Sequence, residues 1–305
     1  MPKARKQFGQ HWLKSEKALN KIVSSAELTE NDRVLEIGAG TGILTRQLIA
    51  QAQMVVAVEI DRDLCPILVQ KFGKFENFLL LQGDFLNLDL KELLQPFPAF
   101  QNPRKVVANI PYNITGPILE RLLGTIANPN LNPFDSIVLL LQKEVALRIC
   151  ATSHSAHYGA LSIRVQYLAA AEFICDVGAK AFSPPPKVDS AVIRLKPRAI
   201  EHPAQDPRKL EMLIKLGFSS RRKMLRNNLK STIEVEALTT LLESLDINPQ
   251  TRAEDLSLEQ WVQLSNAFNR DVTGLNSTSL DSQPSETRSD SSKVDSPKVD
   301  SSKAQ

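Results

Sequence analysis

Short apolar runs alternate with helical patterns over the first two thirds of the chain. The runs lie at residues 34–37, 54–59, 78–81, 105–110, 136–141, 172–177 and 188–195, and helical patterns lie at residues 42–51, 63–72 and 115–123. Strands that are apolar on both faces and alternate with helices are typical of a parallel sheet covered on both sides. The last two runs have no clear helix between them, which predicts an antiparallel hairpin at the sheet edge. The pattern therefore predicts an α/β, doubly wound, Rossmann-like domain of about seven strands at residues 1–198.

Helix signals replace the strands after this region. Asp206 followed by Pro207 is typical of a helix N-cap with proline in the first turn, and similar signals recur further along. They predict a small all-helical domain at residues 199–270. Residues 271–305 contain almost no large apolar side chain and are expected to form a disordered tail.

Composition excludes several classes of protein. No apolar run approaches the ~20 residues of a membrane span, and the basic N-terminus lacks the apolar segment of a secretory signal. Cys65, Cys150 and Cys175 are scattered, and of the four histidines only His154 and His157 lie close together. We therefore expect a cytoplasmic protein with no bound metal and no membrane contact. No heptad pattern or long apolar edge indicates oligomerisation, so a monomer is expected.

The charge is unevenly distributed. Lys and Arg number 37 against 34 Asp and Glu, a net charge of only +3. Residues 1–21 nevertheless hold six basic side chains and one acidic one, and residues 208–230 hold eight basic and one acidic. Two basic clusters on a nearly neutral chain indicate a surface that binds a polyanion. Two solvated helix faces are the alternative interpretation.

A glycine-rich loop follows the first predicted strand, with the sequence GAGTG at residues 38–42. Gly38 and Gly40 allow a sharp turn and a close approach of the backbone to a ligand, and the next helix offers free N–H groups. The loop is not a P-loop, because no Gly-Lys-Ser/Thr follows. Since Ile43 stands where a third glycine would be, it also differs from the dinucleotide fingerprint.

Acidic residues follow the second and third predicted strands. Glu59 can accept hydrogen bonds from both hydroxyls of a ribose, and Asp84 can accept one from an adenine amine. Ile60 and Phe85 beside them can sandwich the adenine ring. A helix cap is the alternative role for either acid. Because nothing in the loop is built for a pyrophosphate, the pocket predicts an adenosine with a small polar extension, which S-adenosylmethionine fits.

The fourth predicted strand ends in the segment NIPY at residues 109–112. The Asn109 side-chain oxygen and the Ile110 carbonyl can accept the two hydrogens of an exocyclic adenine amine. That would draw the nitrogen towards tetrahedral geometry and direct its lone pair at a methyl donor, so positioning does the work. Pro111 restricts the turn, and Tyr112 can stack on the base.

On these motifs the chain resembles the ribosomal RNA adenine dimethyltransferases from Lys6 to about Phe268. The shared motifs are KQFGQHWL, EIGAGTGILT, VEID, GDF, NIPYNITGPIL, FSPPPKVDSAVIRL and GFSSRRKMLRNNL, in the family's order. The resemblance implies a metal-free methyltransferase domain that uses S-adenosylmethionine. Its expected activity is to place two methyl groups on the exocyclic amine of each of two adjacent adenosines near the 3′ end of small-subunit rRNA.

The resemblance also implies roles for particular residues. Those expected at the cofactor are Gln10, His11, Leu13, Gly38, Gly40, Glu59, Ile60, Asp84, Phe85 and Asn109. Asn109, Ile110 and Tyr112 are expected to hold the target base, with Phe182 packing against it from the other side. The chain departs from the family at His11-Trp12, often Asn-Phe, and at Ala39, more often Pro. The departure leaves the contact made by His11 open.

The second basic cluster is the expected RNA contact. Its candidate residues, assigned to a helix at 221–230, are Arg221, Arg222, Lys223 and Arg226, with Lys3, Arg5 and Lys6 of the N-terminal arm in support. The expected partner is rRNA in a partly assembled small ribosomal subunit, since GFSSRRKMLRNNL resembles the small-subunit branch. The alternatives are a large-subunit enzyme of the macrolide-resistance type and a ribosome-assembly factor on the same fold.

Overall fold

The computed structural model of the protein describes residues 4–274. Its main sheet has seven strands: β1 Arg33–Ile37, β2 Met54–Glu59, β3 Phe78–Gln82, β4 Lys105–Asn109, β5 Ser136–Gln142, β6 Ala169–Val177 and β7 Ser190–Pro197. Their order in the sheet is β3-β2-β1-β4-β5-β7-β6. The first five strands in this order are parallel, and β7 is antiparallel to both β5 and β6. The predicted α/β fold with an antiparallel edge hairpin is confirmed.

Helices cover both faces of the sheet. They are α1 Glu16–Ser25, α2 Ile43–Ile49, α3 Cys65–Phe72, α4 Leu90–Leu93, α5 Thr115–Leu123, α6 Lys143–Cys150 and α7 Ala160–Leu168. Alternate residues of one strand enter different cores: Val34 packs with α1 to α3, whereas Leu35 packs with α5 to α7. Both are fully buried. The continuous apolar runs of the sequence follow from this burial on two faces.

The remaining helices form a third core beyond the sheet. They are α8 Pro207–Gly217, α9 Leu225–Leu229, α10 Val235–Ser244 and α11 Leu258–Gly274. Trp261 of α11 is fully buried there, and Ile163 and Tyr167 of α7 belong to the same core. The Tyr167 hydroxyl accepts a hydrogen bond from the Ala204 N–H at 3.1 Å. The described residues up to Phe268 therefore form one compact unit, and an independent domain at 199–270 stays a prediction.

The last third of the chain differs from the sequence prediction at two places. The helix expected at 221–230 begins only at Leu225, because residues 221–223 lie in a turn. Helix α11 continues to Gly274, so residues 271–274, expected to belong to the disordered tail, are helical. The rest of that tail, 275–305, lies outside the described residues.

The sheet topology determines where a ligand can bind. Strands β1 and β4 are neighbours, but the chain leaves them towards opposite faces of the sheet, through α2 and α5. Such a switch point leaves a crevice at the carboxyl ends of the strands. The glycine loop, Glu59 and the NIPY segment follow or end strands at this edge.

Candidate active site

A single pocket at this edge brings together most of the predicted site residues. Its lining comes from four segments of the chain: the N-terminal arm, the end of β1 with the glycine loop, the end of β2, and the NIPY turn. Residues of the arm and the loop that line it are Phe8, Gly9, Gln10, His11, Trp12, Leu13, Glu36, Gly38, Ala39, Gly40, Thr41, Ile43 and Leu44. Glu59, Ile60, Asn109, Ile110, Pro111 and Tyr112 complete it.

The glycine loop has the left-handed backbone that its sequence predicts. Gly38, Gly40 and Gly42 have φ angles of 75°, 60° and 80°. Space is also restricted, since a Cβ added to Gly40 would lie 3.1 Å from the Trp12 ring and one added to Gly42 would lie 2.3 Å from the Phe72 ring. Glycine at these positions therefore sets both the turn and its close packing.

Glu59 links the end of β2 to the loop. Its Oε2 accepts a hydrogen bond from the Gly40 N–H at 2.7 Å, and its Oε1 accepts one from the Asp61 N–H at 2.9 Å. The residue is 3% exposed, and burial raises the pKa of its carboxyl group. Each carboxylate oxygen can accept more than one hydrogen bond, so capacity for two ligand hydroxyls remains.

Glu36 is a second buried acid in the pocket, and the sequence interpretation did not assign it a role. It is 1% exposed, and its Oε2 has no hydrogen-bond partner among the described residues. Its pKa is raised to about 8, mainly by burial and also by the nearby Glu59 charge, whereas Thr45 acts to lower the pKa. The signal in the sequence was an acid inside the apolar run of β1.

The NIPY turn forms the outer part of the pocket. Asn109 ends β4, and the Ile110 N–H donates to the Leu140 carbonyl at 3.2 Å. The Tyr112 hydroxyl lies 2.5 Å from the Ser190 Oγ, and burial raises the pKa of this phenol. The backbone and the tyrosine are thus both held by neighbouring strands.

The N-terminal arm crosses the pocket and is bonded to the opposite rim. Trp12 pairs with Ser183 and Leu13 with Phe182 in a short antiparallel ladder. The His11 ring stacks on Tyr112 with centroids 6.1 Å apart, and its Nδ1–H donates to the Pro184 carbonyl at 2.7 Å. His11 therefore contacts the rim in this structure, and its contact with the cofactor stays open.

Two of the predicted cofactor residues, Asp84 and Phe85, lie away from the pocket lining. Asp84 accepts hydrogen bonds from the Leu86 N–H at 3.0 Å and from the Asn87 Nδ2 at 2.8 Å, so its side chain stabilises its own turn. Phe85 is 6% exposed, with the Arg121 guanidinium 5.1 Å from its ring centroid. An adenine contact by either residue stays a prediction.

Phe182 also lies away from the pocket lining. Its side chain is buried to 1% exposure in the core shared with Leu13, and its expected contact with the target base stays a prediction. The pairing of Phe182 with Leu13 is responsible, because it places this position in the strand ladder that anchors the arm. In this structure its ring supports the rim from behind.

Some of the predicted RNA contacts are already bonded to other residues of the protein, and others are not. Arg221 donates to the carbonyls of Ala156 at 2.9 Å and Tyr158 at 3.1 Å, and forms an ion pair with Glu254 at 3.2 Å. The side chains of Arg222 and Lys223 are exposed, and neither side chain forms a hydrogen bond or ion pair within residues 4–274.

Two further predicted contacts differ in their surroundings. Arg226 is half-buried. Arg5 of the arm forms ion pairs with Asp61 and Asp63, so its predicted role as a phosphate contact is not supported by the geometry.

Residues 4–274 contain no group of three or more His, Cys, Asp or Glu side chains that could hold a metal ion. Within the same range, no helix is long and apolar enough to cross a membrane.

Residues 1–270 match the ribosomal RNA adenine dimethylase family. A relative from Nostoc sp. (strain PCC 7120), named ribosomal RNA small subunit methyltransferase A, is 67% identical over 266 residues, 87% of this chain and 98% of the relative. A relative of the same name from Synechococcus elongatus is 56% identical over 86% of this chain and 94% of its own.

Two solved structures are similar over most of the chain. A dimethyladenosine transferase from Plasmodium falciparum has a TM-score of 0.70 and 27% identity, and covers 86% of this chain and 98% of its own. The 23S rRNA methyltransferase ErmE has a TM-score of 0.64 and 26% identity, with 85% and 100% covered. The family match and relatives of this identity show that the chain belongs to the ribosomal RNA adenine dimethylase family.

Proposed function

We propose that this protein transfers methyl groups from S-adenosylmethionine to two adjacent adenosines near the 3′ end of small-subunit rRNA. Each exocyclic amine receives two methyl groups. The observation that carries the proposal is the NIPY turn, whose Asn109 and Tyr112 line the same pocket as the glycine loop and Glu59. The residues proposed to hold the target base and the acid proposed to hold the cofactor ribose thus line one cavity.

The pocket residues fit S-adenosylmethionine. Glu59 has the capacity to accept the ribose hydroxyls, and the glycine loop lets the backbone approach the ligand closely. Glu36 also lines the pocket, and its Oε2 has no hydrogen-bond partner among the described residues, so it is a further polar group near a bound ligand. When bound, the cofactor supplies an electrophilic methyl group on a sulfonium sulfur.

The NIPY turn supplies the positioning that the reaction needs. The Asn109 side-chain oxygen and the Ile110 carbonyl accept the two hydrogens of the adenine amine, which localises its lone pair. Tyr112, held by Ser190, supports the base against the pocket rim. After transfer, the methylated amine would lose one proton to water. Its one remaining hydrogen could be accepted by either of the same two oxygens, which would position the amine for a second transfer.

The relatives favour the small subunit over the large one as the substrate. The relative from Nostoc, 67% identical, is named for the small subunit, whereas ErmE, named for 23S rRNA, is 26% identical. An assembly factor without catalysis is less favoured, because Asn109, Ile110 and Tyr112 are present and line the pocket.

The setting proposed for the reaction follows from its substrate. The two adenosines must leave their stack to enter the pocket, which is least costly where the RNA is not yet fully packed. We therefore infer a partly assembled small subunit as the partner, bound by one copy of the chain in the cytoplasm.

Asn109→Ala tests the proposal directly. We expect its kcat for methyl transfer to small subunits to fall by about 100-fold or more, because the amine loses a positioned acceptor. The variant should still bind S-adenosylhomocysteine, because Glu59 and the glycine loop are unchanged. Asn113→Ala is the matched control, since Asn113 is exposed in the same turn and does not line the pocket. Unchanged kcat in the Asn109 variant would contradict the proposed catalytic role.

A further inference from the structure

Arg5, Gln10 and Asp61 form a closed set of hydrogen bonds between the N-terminal arm and the turn after β2. The Arg5 Nη1 donates to Asp61 Oδ1 at 3.0 Å, and the Gln10 Nε2 donates to Asp61 Oδ2 at 2.8 Å. The Gln10 Oε1 accepts the Arg5 backbone N–H at 2.7 Å. Each member of this set, here called the arm lock, contacts both of the others.

Burial distinguishes the arm lock from an ordinary surface ion pair. Asp61 is only 2% exposed, and it also accepts the Asp63 N–H at 3.1 Å. A buried carboxylate that loses a charged donor is left with an uncompensated charge, which is strongly unfavourable. The second Arg5 contact, to Asp63, involves a side chain that is 70% exposed and contributes less.

The arm lock is joined to the cofactor pocket on both sides. The Asp61 N–H donates to Glu59 Oε1, the acid proposed to hold the ribose. On the arm, residues 8–13 line the pocket directly after Arg5. The far end of the arm is held separately, by the Trp12–Leu13 ladder with Phe182–Ser183. The arm is therefore tied down at both ends across the cavity.

We propose that Arg5 and Asp61 are positioning residues that hold the arm over the bound cofactor. The inference rests on the proposed function, because it names S-adenosylmethionine as the ligand beneath the arm. Neither side chain lines the pocket, so both act through Gln10, Glu59 and the arm backbone. Opening of the arm lock exposes the cavity, and its closure retains the cofactor while the rRNA is engaged.

Arg5→Gln and Asp61→Asn, made in the full chain, test the proposal. We expect each variant to raise the Kd for S-adenosylhomocysteine and the KM for S-adenosylmethionine about ten-fold, as for the loss of one charge-assisted hydrogen bond. The kcat at saturating cofactor should stay within about two-fold. The double variant should bind no more weakly than the weaker single variant, because the two residues act as one unit.

Arg62→Gln is the matched control. Arg62 is exposed in the same turn and forms no hydrogen bond or ion pair within residues 4–274, so its removal should leave both constants unchanged. Thermal unfolding of each variant checks folding. Should Asp61→Asn not fold, Arg5→Gln carries the test, because the Arg5 side chain is 40% exposed.

The outcomes separate this inference from the proposed function. If Arg5→Gln bound the cofactor as tightly as the wild type, the positioning role of the arm lock would be overturned, and the proposed function would stand. Weaker binding of small subunits with unchanged cofactor affinity would also overturn it, because Arg5 would then be an RNA contact. If the wild-type chain bound neither cofactor nor product, the proposed function would fail, and this inference with it.

Discussion

At the scale of single residues, the pocket has two buried acids with different roles. Glu59 uses both oxygens to hold the backbone of the loop and the next turn. Glu36 has an oxygen without a partner and a pKa raised to about 8, so it is largely protonated at neutral pH. A neutral acid can donate a hydrogen bond as well as accept one, which widens what the pocket can bind.

Glu36→Gln should change how stability depends on pH. The folded state holds the Glu36 proton up to about pH 8, whereas an ordinary carboxyl group loses it near 4.5. The wild-type free energy of unfolding is therefore expected to fall between these values, by about 1.4 kcal/mol per pH unit from this group. Glutamine removes this contribution, so the variant should gain relative stability at high pH.

Urea unfolding at pH 5, 6.5 and 8 measures this effect. The difference in stability between Glu36→Gln and wild type should increase steadily across the series. A difference that stays constant with pH would show that the pKa of Glu36 is not raised in the folded protein.

At the scale of elements, the glycine loop depends on a contact far away in the sequence. Gly42 has φ 80° and is the N-cap of α2, where a Cβ would lie 2.3 Å from the ring of Phe72 in α3. Both the loop conformation and the packing of α2 against α3 thus require a residue without a side chain at position 42. The sequence showed the turn, but the contact with Phe72 could only be seen in the fold.

Gly42→Ala should therefore destabilise the protein by about 1–3 kcal/mol, from steric overlap and positive φ together. Gly116→Ala is the matched control, because no atom lies within 4 Å of its added Cβ and it lies in helix α5. We expect the control to be neutral or up to about 1 kcal/mol more stable. Chemical unfolding of both variants checks this, and equal stabilities would contradict the packing argument.

In the basic segment before α9, Arg221 is bonded within the protein whereas Arg222 and Lys223 are not. The sequence alone could not distinguish them. Arg221 is bonded to Glu254 and to two carbonyls, whereas Arg222 and Lys223 are exposed and unpaired in the described part of the chain. Arg221→Ala should lower the free energy of unfolding by about 1 kcal/mol. Replacing Arg222 and Lys223 with alanine should leave stability unchanged.

The same double alanine variant should bind small subunits more weakly. Two lost phosphate contacts would reduce the slope of log affinity against log salt by roughly 1.4 to 1.8. A salt titration of binding by wild type, the double variant and Arg221→Ala measures this slope. An unchanged slope in the double variant would exclude Arg222 and Lys223 as phosphate contacts.

At the scale of the whole molecule, the sheet and most of the pocket follow from local patterns in the sequence. Each parallel strand is a continuous apolar run, and Gly38, Glu59 and Asn109 follow or end such runs, so they meet at one edge. The place of β7 between β5 and β6 depends on pairing between distant segments, which periodicity does not encode.

Long-range pairing also explains what the sequence missed. The ladder of Trp12–Leu13 with Phe182–Ser183 has two residues on each side, too few for any alternation to be recognised. It determines that Phe182 is buried. The arm lock was missed for a similar reason, since Arg5 and Asp61 are 56 positions apart and each looks like an ordinary surface charge.

Methyl transfer from labelled S-adenosylmethionine to small ribosomal subunits that lack this modification tests the central claim most directly. Large subunits and naked rRNA are assayed in parallel, and the labelled RNA is digested to nucleosides. The account predicts dimethyladenosine from small-subunit particles, at two adjacent positions near the 3′ end of their rRNA. Label in large-subunit rRNA instead, or no label in any RNA while the cofactor still binds, would contradict it.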